Sequence, residues 1–260
     1  WDELIESVQK TMYIDEVEMS VLHKASSPEE VLNLVKSFEQ KFSHCKRRTG
    51  TSDESPFIIS AKHLDVTKNT YNQIASSYHD AHVGKLVSQK QLDEFMSLIH
   101  APAKIIDIGC GPGYDLKYLS KKFSVKGIDI SDKFVKIAQF ENPDAIIELA
   151  DIVKYPLEVN SYKGIWARDS IHHIAANDLD GVFKKVSDAL VEGGIFYVIV
   201  REGDSEIYEK EKKNYSTLER FYHQFSVEEL TERAKRAGLN VVKIDHEQRA
   251  HKWLIGVFQK

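Results

Sequence analysis

The feature that most constrains this fold is a glycine-rich turn at residues 107–113, which reads Asp-Ile-Gly-Cys-Gly-Pro-Gly. It follows the short apolar run Lys104–Asp107 and precedes a helical pattern over Tyr114–Phe123. Glycines at alternate positions let the backbone turn tightly and approach a ligand without interference from Cβ atoms. A strand, a glycine turn and a helix in this order predict a βαβ unit that binds its ligand at the turn.

Strand and helix patterns alternate along most of the chain. Apolar runs predict seven strands, at Lys104–Asp107, Val125–Ile130, Ala145–Leu149, Lys163–Ala167, Ile195–Val200, Asn240–Ile244 and Trp253–Phe258. Strands separated by single helices imply parallel, right-handed crossovers. The last two strands are joined by a polar stretch too short for a helix, so they should pair antiparallel. We therefore predict an α/β fold with a seven-stranded sheet, six strands parallel and one antiparallel, and helices on both faces.

The N-terminal part of the chain has a different pattern. Ser27-Pro-Glu-Glu30 is a capping box, followed by apolar residues at helical spacing as far as Phe42. Residues 45–56 are rich in Lys, Arg, Thr, Gly, Ser, Asp and Pro, which predicts a linker. We expect residues 1–60 to form a helical extension with a linker, and residues 61–260 to form the main domain. The sequence starts at Trp1 rather than Met, which is compatible with a segment upstream.

Composition narrows the range of partners. The 260 residues carry a net charge of -5, which disfavours long nucleic acids. The two cysteines cannot form a disulfide framework, and the longest apolar runs are too short to cross a bilayer. His, Cys and acidic residues show no metal-ligand spacing. We expect a cytoplasmic monomer or homodimer that binds small molecules, with no metal and no membrane contact.

Three further motifs follow the glycine turn in order. Asp129 ends the second predicted strand, where an acid reaches ribose hydroxyls because the crevice opens at the carboxyl ends of adjacent strands. Ala150-Asp151-Ile152 follows the third strand, where a carboxylate can accept a hydrogen bond from an adenine amino group. Residues 166–173, Trp-Ala-Arg-Asp-Ser-Ile-His-His, follow the fourth strand, beside the expected position of the reacting end of a cofactor.

Together these motifs resemble those of class I S-adenosylmethionine-dependent methyltransferases, over about residues 67–260. The turn is spaced Gly-x-Gly-x-Gly, whereas dinucleotide-binding sites use Gly-x-Gly-x-x-Gly. The resemblance implies a Rossmann-like domain that binds S-adenosylmethionine and releases S-adenosylhomocysteine. It also implies in-line transfer of the methyl group to an oxygen, nitrogen or sulfur atom of a small molecule.

The resemblance also implies roles for individual residues. Asp107 and the turn residues would flank the methionine part of the cofactor, and Asp129 would hold the ribose. Tyr71 and Tyr78 lie two helical turns apart in a pattern similar to the helix that closes over the cofactor, although both could equally be core aromatics. The complete set of predicted cofactor-binding residues is Tyr71, Tyr78, Asp107, Gly109, Cys110, Gly111, Gly113, Asp129, Ile130, Asp151, Ile152 and Arg168.

Catalytic and substrate-binding residues are harder to assign. His172 and His173 are candidate general bases, but one could pack beneath the cleft and the other could cap a helix. The charged, tyrosine-rich segment 204–225 is typical of a lid or a substrate wall. Its candidate substrate contacts are Tyr208, Tyr215, Arg220, Tyr222 and His223.

Two other functions fit the same motifs. One is a non-catalytic module that binds S-adenosylmethionine and regulates a partner. The other is an RNA or protein methyltransferase. The acidic balance and the absence of an Asn-Pro-Pro-Tyr-like motif after the fourth strand, where Arg168-Asp-Ser-Ile stands, argue against this second alternative.

Overall fold

A computed structural model describes residues 56–86, 88–210 and 218–260. The predicted capping box at Ser27, most of the predicted linker and Tyr215 lie outside these residues, and the boundary proposed at residue 60 stays a prediction. The helices are α1 (Pro56–His82), α2 (Gln89–Ser97), α3 (Tyr114–Leu119), α4 (Asp132–Glu141), α5 (Ala176–Ala189) and α6 (Val227–Arg236), with a 3₁₀ turn at Ile171–His173. The strands are β1 (Lys104–Ile108), β2 (Ser124–Asp129), β3 (Ile146–Leu149), β4 (Tyr162–Arg168), β5 (Leu190–Arg201), β6 (Glu206–Lys210), β7 (Glu219–His223), β8 (Asn240–Gln248) and β9 (Lys252–Gln259).

The predicted seven-stranded sheet is confirmed, in the order β3-β2-β1-β4-β5-β9-β8. Strands β1 to β5 pair in parallel, and β9 runs antiparallel between β5 and β8. Because the chain passes from β3 at one edge back to β4 beside β1, the topology reverses between β1 and β4. Ligands of open α/β sheets bind at such a point, at the carboxyl ends of the strands.

Side chains of the central strands alternate between two hydrophobic cores, one on each face of the sheet. In β5, Phe196, Val198 and Val200 pack into the core that contains residues of α5 and α6. Ile195, Tyr197 and Ile199 pack into the core that contains residues of α2, α3 and α4. Helices therefore cover both faces, as the run Ile195–Val200 predicted.

The structure extends two of the predicted elements. Strand β5 begins at Leu190, and Gly193 adopts φ 73° within it, where the pairing with β4 shifts register. Strand β8 continues to Gln248, four residues past the predicted end, and pairs with β9 along its length. The extension is polar and mostly exposed because β8 is an edge strand, so it lacks the apolar pattern that marks buried strands.

Strands β6 and β7 form a separate two-stranded antiparallel sheet within segment 204–225. A bridge between Glu202 and Phe225 closes its base. Sequence analysis identified this segment only as a lid or substrate wall. Among the described helices, none is both long and apolar enough to cross a membrane.

Candidate active site

A cleft that is partly open to solvent lies at the carboxyl ends of β1, β2, β3 and β4. The loops after these strands line it, and helix α1 lies along one side through Leu64, Thr67, Tyr71 and Tyr78. Ten of the twelve residues predicted to contact the cofactor line the cleft. In full these ten are Tyr71, Tyr78, Gly109, Cys110, Gly111, Asp129, Ile130, Asp151, Ile152 and Arg168.

Glycine stands at each of these positions of the turn for a different structural reason. Gly109 has φ 74°, and a Cβ atom there would lie 2.3 Å from the Cβ of Ser170 in the loop after β4. Gly113 has φ 84° and precedes α3, and its Cβ would lie 2.5 Å from the side-chain nitrogen of Asn142. Gly113 does not line the cleft. Gly111, with φ 52°, lines the cleft and has open space where a Cβ would be, so the turn presents bare backbone to a ligand.

Asp129 lies beside this turn. Its carboxylate accepts hydrogen bonds from the backbone N–H groups of Gly111 and Ser131, each at 2.8 Å. Burial raises the pKa of Asp129 to about 6, although these N–H groups favour the charged form. Each carboxylate oxygen has two lone pairs, so both retain the capacity to accept from a ligand hydroxyl.

Asp151 and several apolar side chains also line the cleft. The Asp151 carboxylate accepts from the backbone N–H of Val153 at 2.9 Å, and burial raises its pKa. Ile130, Ile152 and Phe134 line the same cleft. An apolar slot with one carboxylate at its edge suits a flat heterocycle that carries an amino group.

An ionic network joins the glycine turn to the loop after β4. The carboxylate of Asp115 accepts from Trp166 Nε1 at 3.0 Å and from Arg168 Nε at 2.6 Å. Arg168 also pairs with Asp169 at 2.9 Å, and Arg249, in the turn between β8 and β9, pairs with the same carboxylate at 3.2 Å. Asp169 is one of two non-glycine residues with positive φ among the described residues, at 55°. Such backbone strain is often retained at functional sites.

Asp107 does not line the cleft. It is buried in β1, and its Oδ2 has no hydrogen-bond partner among the described residues. Burial and the carboxylate of Asp115 raise the pKa of Asp107 well above its ordinary value. Its contribution to the site is therefore through the base of the glycine turn rather than through the cleft surface.

Tyr71 and His173 form a hydrogen-bonded pair in the cleft wall. His173 Nδ1 lies 2.6 Å from the carbonyl oxygen of Phe221, and its Nε2 lies 2.8 Å from the Tyr71 hydroxyl. Because a carbonyl oxygen can only accept, Nδ1 carries the proton and Nε2 accepts from Tyr71. Burial lowers the pKa of His173 to about 3, and Arg220 and Arg201 contribute to this shift, so the ring is neutral.

Tyr78 lies on α1, the same helix as Tyr71. Its ring stacks on His82 at 4.2 Å and meets Phe134 edge-on at 5.4 Å. Burial raises the pKa of Tyr78 to about 12. Helix α1 thus presents two aromatic rings to the cleft, in agreement with the predicted helical face.

Behind the Tyr71–His173 pair lies a cluster of cationic and aromatic side chains that we term the donor cluster, because it contains several hydrogen-bond donors. It consists of His172, Arg201, Arg220, Tyr222 and Trp253. The Arg201 guanidinium lies 4.2 Å from the centre of the Tyr222 ring, and Arg220 donates to the Tyr71 hydroxyl at 3.3 Å. His172 Nδ1, Arg201 Nε and Trp253 Nε1 are buried without a hydrogen-bond partner in the described part of the chain. Buried unpaired donors close together suit a water cluster or an anion.

Only some of the predicted catalytic and substrate residues line the cleft. His173 lines the cleft, whereas His172 is buried against Tyr222 and Trp253 within the donor cluster. Tyr222 and Arg220 also belong to that cluster, but neither lines the cleft. Tyr208 is half-exposed and hydrogen-bonds His63.

His223 occupies a third position, away from the cleft. Its Nε2 lies 2.9 Å from Glu229 and its Nδ1 lies 3.4 Å from Glu206. These two carboxylates raise the pKa of His223 although burial opposes them. The imidazole therefore ties β7 to β6 and α6, and we assign it no contact with a substrate.

Sequence analysis missed several residues that line the cleft. Asp115 stands inside the glycine motif, and its position at the start of α3 was the signal for it. Phe134 and Thr67 had only a helical pattern to mark them. Asp169 and Ser170 follow β4, within the motif already singled out. Among the described residues, no group of three or more His, Cys, Asp or Glu side chains could hold a metal ion.

Comparison with known proteins places this geometry in context. The model of a family described as a methyltransferase domain matches residues 80–244. The chain is 27% identical over 133 residues to dTDP-3-amino-3,6-dideoxy-alpha-D-glucopyranose N,N-dimethyltransferase of Streptomyces fradiae, covering 48% of this chain and 52% of that protein. It is 24% identical over 184 residues to phosphoethanolamine N-methyltransferase of Plasmodium falciparum, covering 68% of each. The chain thus spans about half the length of the first relative.

A solved structure has the same fold. The chain aligns with 1,6-didemethyltoxoflavin-N1-methyltransferase of Burkholderia thailandensis, crystallised with 1,6-didemethyltoxoflavin and S-adenosylhomocysteine, with a TM-score of 0.63. The alignment covers 83% of this chain and 98% of that protein at 16% identity. At this identity the likeness supports the fold alone.

Proposed function

This chain belongs to the methyltransferase-domain family of class I S-adenosylmethionine-dependent enzymes, and on that premise we propose that it methylates a nitrogen of a small amine carrying an anionic group. The observation that supports binding of S-adenosylmethionine, the methyl donor, is the carboxylate of Asp129 beside the bare backbone of Gly111 in one cleft. The assignment of the methyl acceptor depends on the Tyr71–His173 pair and the donor cluster behind it.

The cleft residues fit S-adenosylmethionine. Asp129 would hold the ribose hydroxyls, Ile130 and Ile152 would contact the adenine, and Asp151 would accept from its amino group. The turn at 109–111 would approach the methionine part without steric obstruction, since Gly111 has open space at its Cβ position. When bound, the donor supplies an electrophilic methyl group on a sulfonium. The chain's own contribution is to hold the reactants in line and to exclude water.

Donor affinity should depend on pH in a defined window. Because the pKa of Asp129 is raised to about 6, its carboxylate becomes protonated as pH falls through 6 and can no longer accept two ribose hydrogen bonds. We expect the dissociation constant of S-adenosylhomocysteine to rise about tenfold per pH unit below that value and to be constant above it. Calorimetry between pH 4.5 and 8 measures this. An Asp129→Asn variant should bind weakly at every pH, and an equally steep dependence in that variant would contradict the assignment.

The donor cluster supports an anionic acceptor. Two guanidinium groups, Arg201 and Arg220, flank Tyr222 immediately behind the cleft wall. Arg201 is buried and its one carboxylate partner in the described residues is Glu209. The buried unpaired nitrogens of Arg201 and Trp253 can each donate a hydrogen bond to an oxyanion, and His172 Nδ1 can do so in the tautomer that carries its proton there. None of the five cluster residues lines the cleft, so a phosphate or carboxylate group on the acceptor would satisfy these nitrogens only if the wall at Tyr71 and His173 opened toward them.

The cleft wall supports an amine as the methylated group. The Asp169 carboxylate lines the cleft and can accept from an ammonium. A proton that leaves the acceptor nitrogen can pass to the Tyr71 oxygen while Tyr71 gives its own proton to His173 Nε2. Arg220 and Arg201 help to keep the pKa of His173 low. An anionic group bound beside these arginines would offset their charge and make His173 a better base only when the acceptor is present.

The names of the relatives agree with this acceptor class. The Streptomyces and Plasmodium relatives are named as N-methyltransferases of a nucleotide amino sugar and of phosphoethanolamine, both amines that carry phosphate groups. The shared chemistry, rather than either compound, is what we transfer to this chain.

The test compares phosphoethanolamine with ethanolamine as acceptors, using the full chain and S-adenosylmethionine with a labelled methyl group. We expect methylation of phosphoethanolamine, with a kcat/KM for ethanolamine lower by roughly a hundredfold or more, because the buried donors would stay unpaired. Equal kcat/KM values would remove the anionic half of the proposal. Tight donor binding without transfer to either amine would remove the acceptor class and leave the donor assignment intact.

A further inference from the structure

Strand β7 has an outer edge that no other strand covers in the described structure. Strand β6 pairs with it on one side only. On the other side, three side chains satisfy its backbone. Thr70 Oγ1 donates to the carbonyl oxygen of Glu219 at 2.5 Å, and Thr67 Oγ1 accepts from the N–H of Phe221 at 3.2 Å. His173 Nδ1 donates to the carbonyl oxygen of Phe221 at 2.6 Å.

Three hydrogen bonds and the backbone of α1 together form a closed loop. The loop runs from Thr67 to the backbone of Phe221, from Phe221 to His173, and from His173 Nε2 to Tyr71. Thr67 and Tyr71 are four residues apart in α1, so they lie on the same face of that helix. The position of α1 and the orientation of the His173 ring are therefore linked through the backbone of one residue of β7, Phe221.

The hydrogen-bonded contact between Thr67 and Phe221 is almost fully buried. Thr67 and Thr70 are each 2% exposed and Phe221 is 1% exposed. The His63 ring, also on α1, stacks on the Phe221 ring at 3.9 Å. Without the Thr67 hydroxyl, the Phe221 N–H would be buried and unpaired, which is unfavourable enough for β7 to shift toward another acceptor. Such a shift would move the carbonyl oxygen that fixes the His173 tautomer.

We propose that Thr67 is a positioning residue that couples the packing of α1 against β7 to the tautomer and orientation of His173. The inference rests on the proposed function, in which His173 receives the acceptor proton through Tyr71. Thr67 holds Phe221, the Phe221 carbonyl holds the proton on Nδ1, and Nε2 is left as the acceptor that faces Tyr71. Loss of the Thr67 contact would release Phe221 and, with it, the partner that fixes Nδ1.

The first test reads the His173 ring directly by ¹⁵N nuclear magnetic resonance with S-adenosylhomocysteine bound. A His173→Gln variant assigns the signals. We expect the native chain and Thr67→Ser to show one tautomer with a slowly exchanging Nδ1 proton. Thr67→Val, which keeps the side-chain shape but lacks the acceptor, should show a second tautomer or at least about tenfold faster exchange of that proton. Unchanged tautomer and exchange in Thr67→Val would overturn the proposal.

Two controls keep this test decisive. Thr231→Val, on α6, makes the same chemical change away from β7 and should leave the His173 signals as in the native chain. If Thr67→Val does not fold, Thr67→Ala is measured in the same way, because its smaller side chain imposes no new packing. A native His173 spectrum in that variant would likewise overturn the proposal.

Kinetics with phosphoethanolamine as the probe acceptor give a second readout. We expect Thr67→Val to lower kcat by roughly tenfold to a hundredfold with KM for S-adenosylmethionine changed less than twofold, and Thr67→Ser to restore kcat. A rise in KM for the donor with kcat unchanged would show a merely structural role and overturn the coupling. If the native chain does not methylate phosphoethanolamine, the acceptor assignment fails, whereas the resonance test still decides the role of Thr67.

Discussion

Replacement of Asp129 by alanine is expected to weaken the binding of S-adenosylmethionine by at least a hundredfold. The carboxylate lies in the cleft with both oxygens fixed by backbone N–H groups, so a ligand meets it already oriented. Hydrogen bonds to a charged group contribute about 1.5–3 kcal/mol each, and two to a ribose would amount to a loss of about two to four powers of ten in affinity. Calorimetry on the purified variant measures this loss directly.

The controls for this variant separate binding from folding. Alanine also leaves the N–H groups of Gly111 and Ser131 without their acceptor, which destabilises the turn. Asp129→Asn keeps one oxygen and is expected to unfold closer to the native temperature while still binding the donor poorly. Asp144→Ala removes an exposed carboxylate and should bind as the native chain does. Native affinity in both Asp129 variants would refute the ribose role.

Replacement of His173 by alanine is expected to reduce kcat for phosphoethanolamine by about a hundredfold, equivalent to about 2.7 kcal/mol of transition-state stabilisation. The variant removes the acceptor for the Tyr71 proton and the donor to the Phe221 carbonyl. Donor affinity should change less than twofold, because the carboxylates of Asp129 and Asp151 are held by backbone N–H groups and not by His173. Steady-state kinetics combined with calorimetry distinguish the two effects.

A matched control for this variant is His246→Ala, an exposed histidine on β8 that pairs with Glu202. It should retain native kcat. The pH profile adds a second check, made at saturating S-adenosylmethionine so that Asp129 does not contribute. Because the pKa of His173 is about 3, the ring stays neutral, and kcat/KM for the acceptor should show no histidine titration between pH 5 and 8. A native kcat in His173→Ala would exclude the proton route through Tyr71.

The sheet and the donor side of the cleft could be predicted because their signals are local. Buried parallel strands read as continuous apolar runs, as in Ile195–Val200, and the order of strands follows from the short crossovers between them. The glycine turn and Asp129 mark their own position at strand ends. These features need only a few adjacent residues to identify them.

The acceptor side could not be predicted in the same way. Thr67 contacts Phe221 across 154 residues of chain, and its helical pattern carries no trace of that partner. Strands β6 and β7 are short and rich in charge, so neither period nor composition separates them from a loop. The donor cluster draws His172, Arg201 and Trp253 from three strands or loops that only the folded sheet brings together.

The contact between Gly109 and Ser170 limits how this enzyme could be re-engineered. Any side chain at 109 would overlap residue 170, whose hydroxyl donates to the carbonyl oxygen of Ile108 at 2.6 Å. A bulkier residue at position 170 would likewise distort the backbone at residue 109. Libraries aimed at new acceptors should therefore leave this pair untouched.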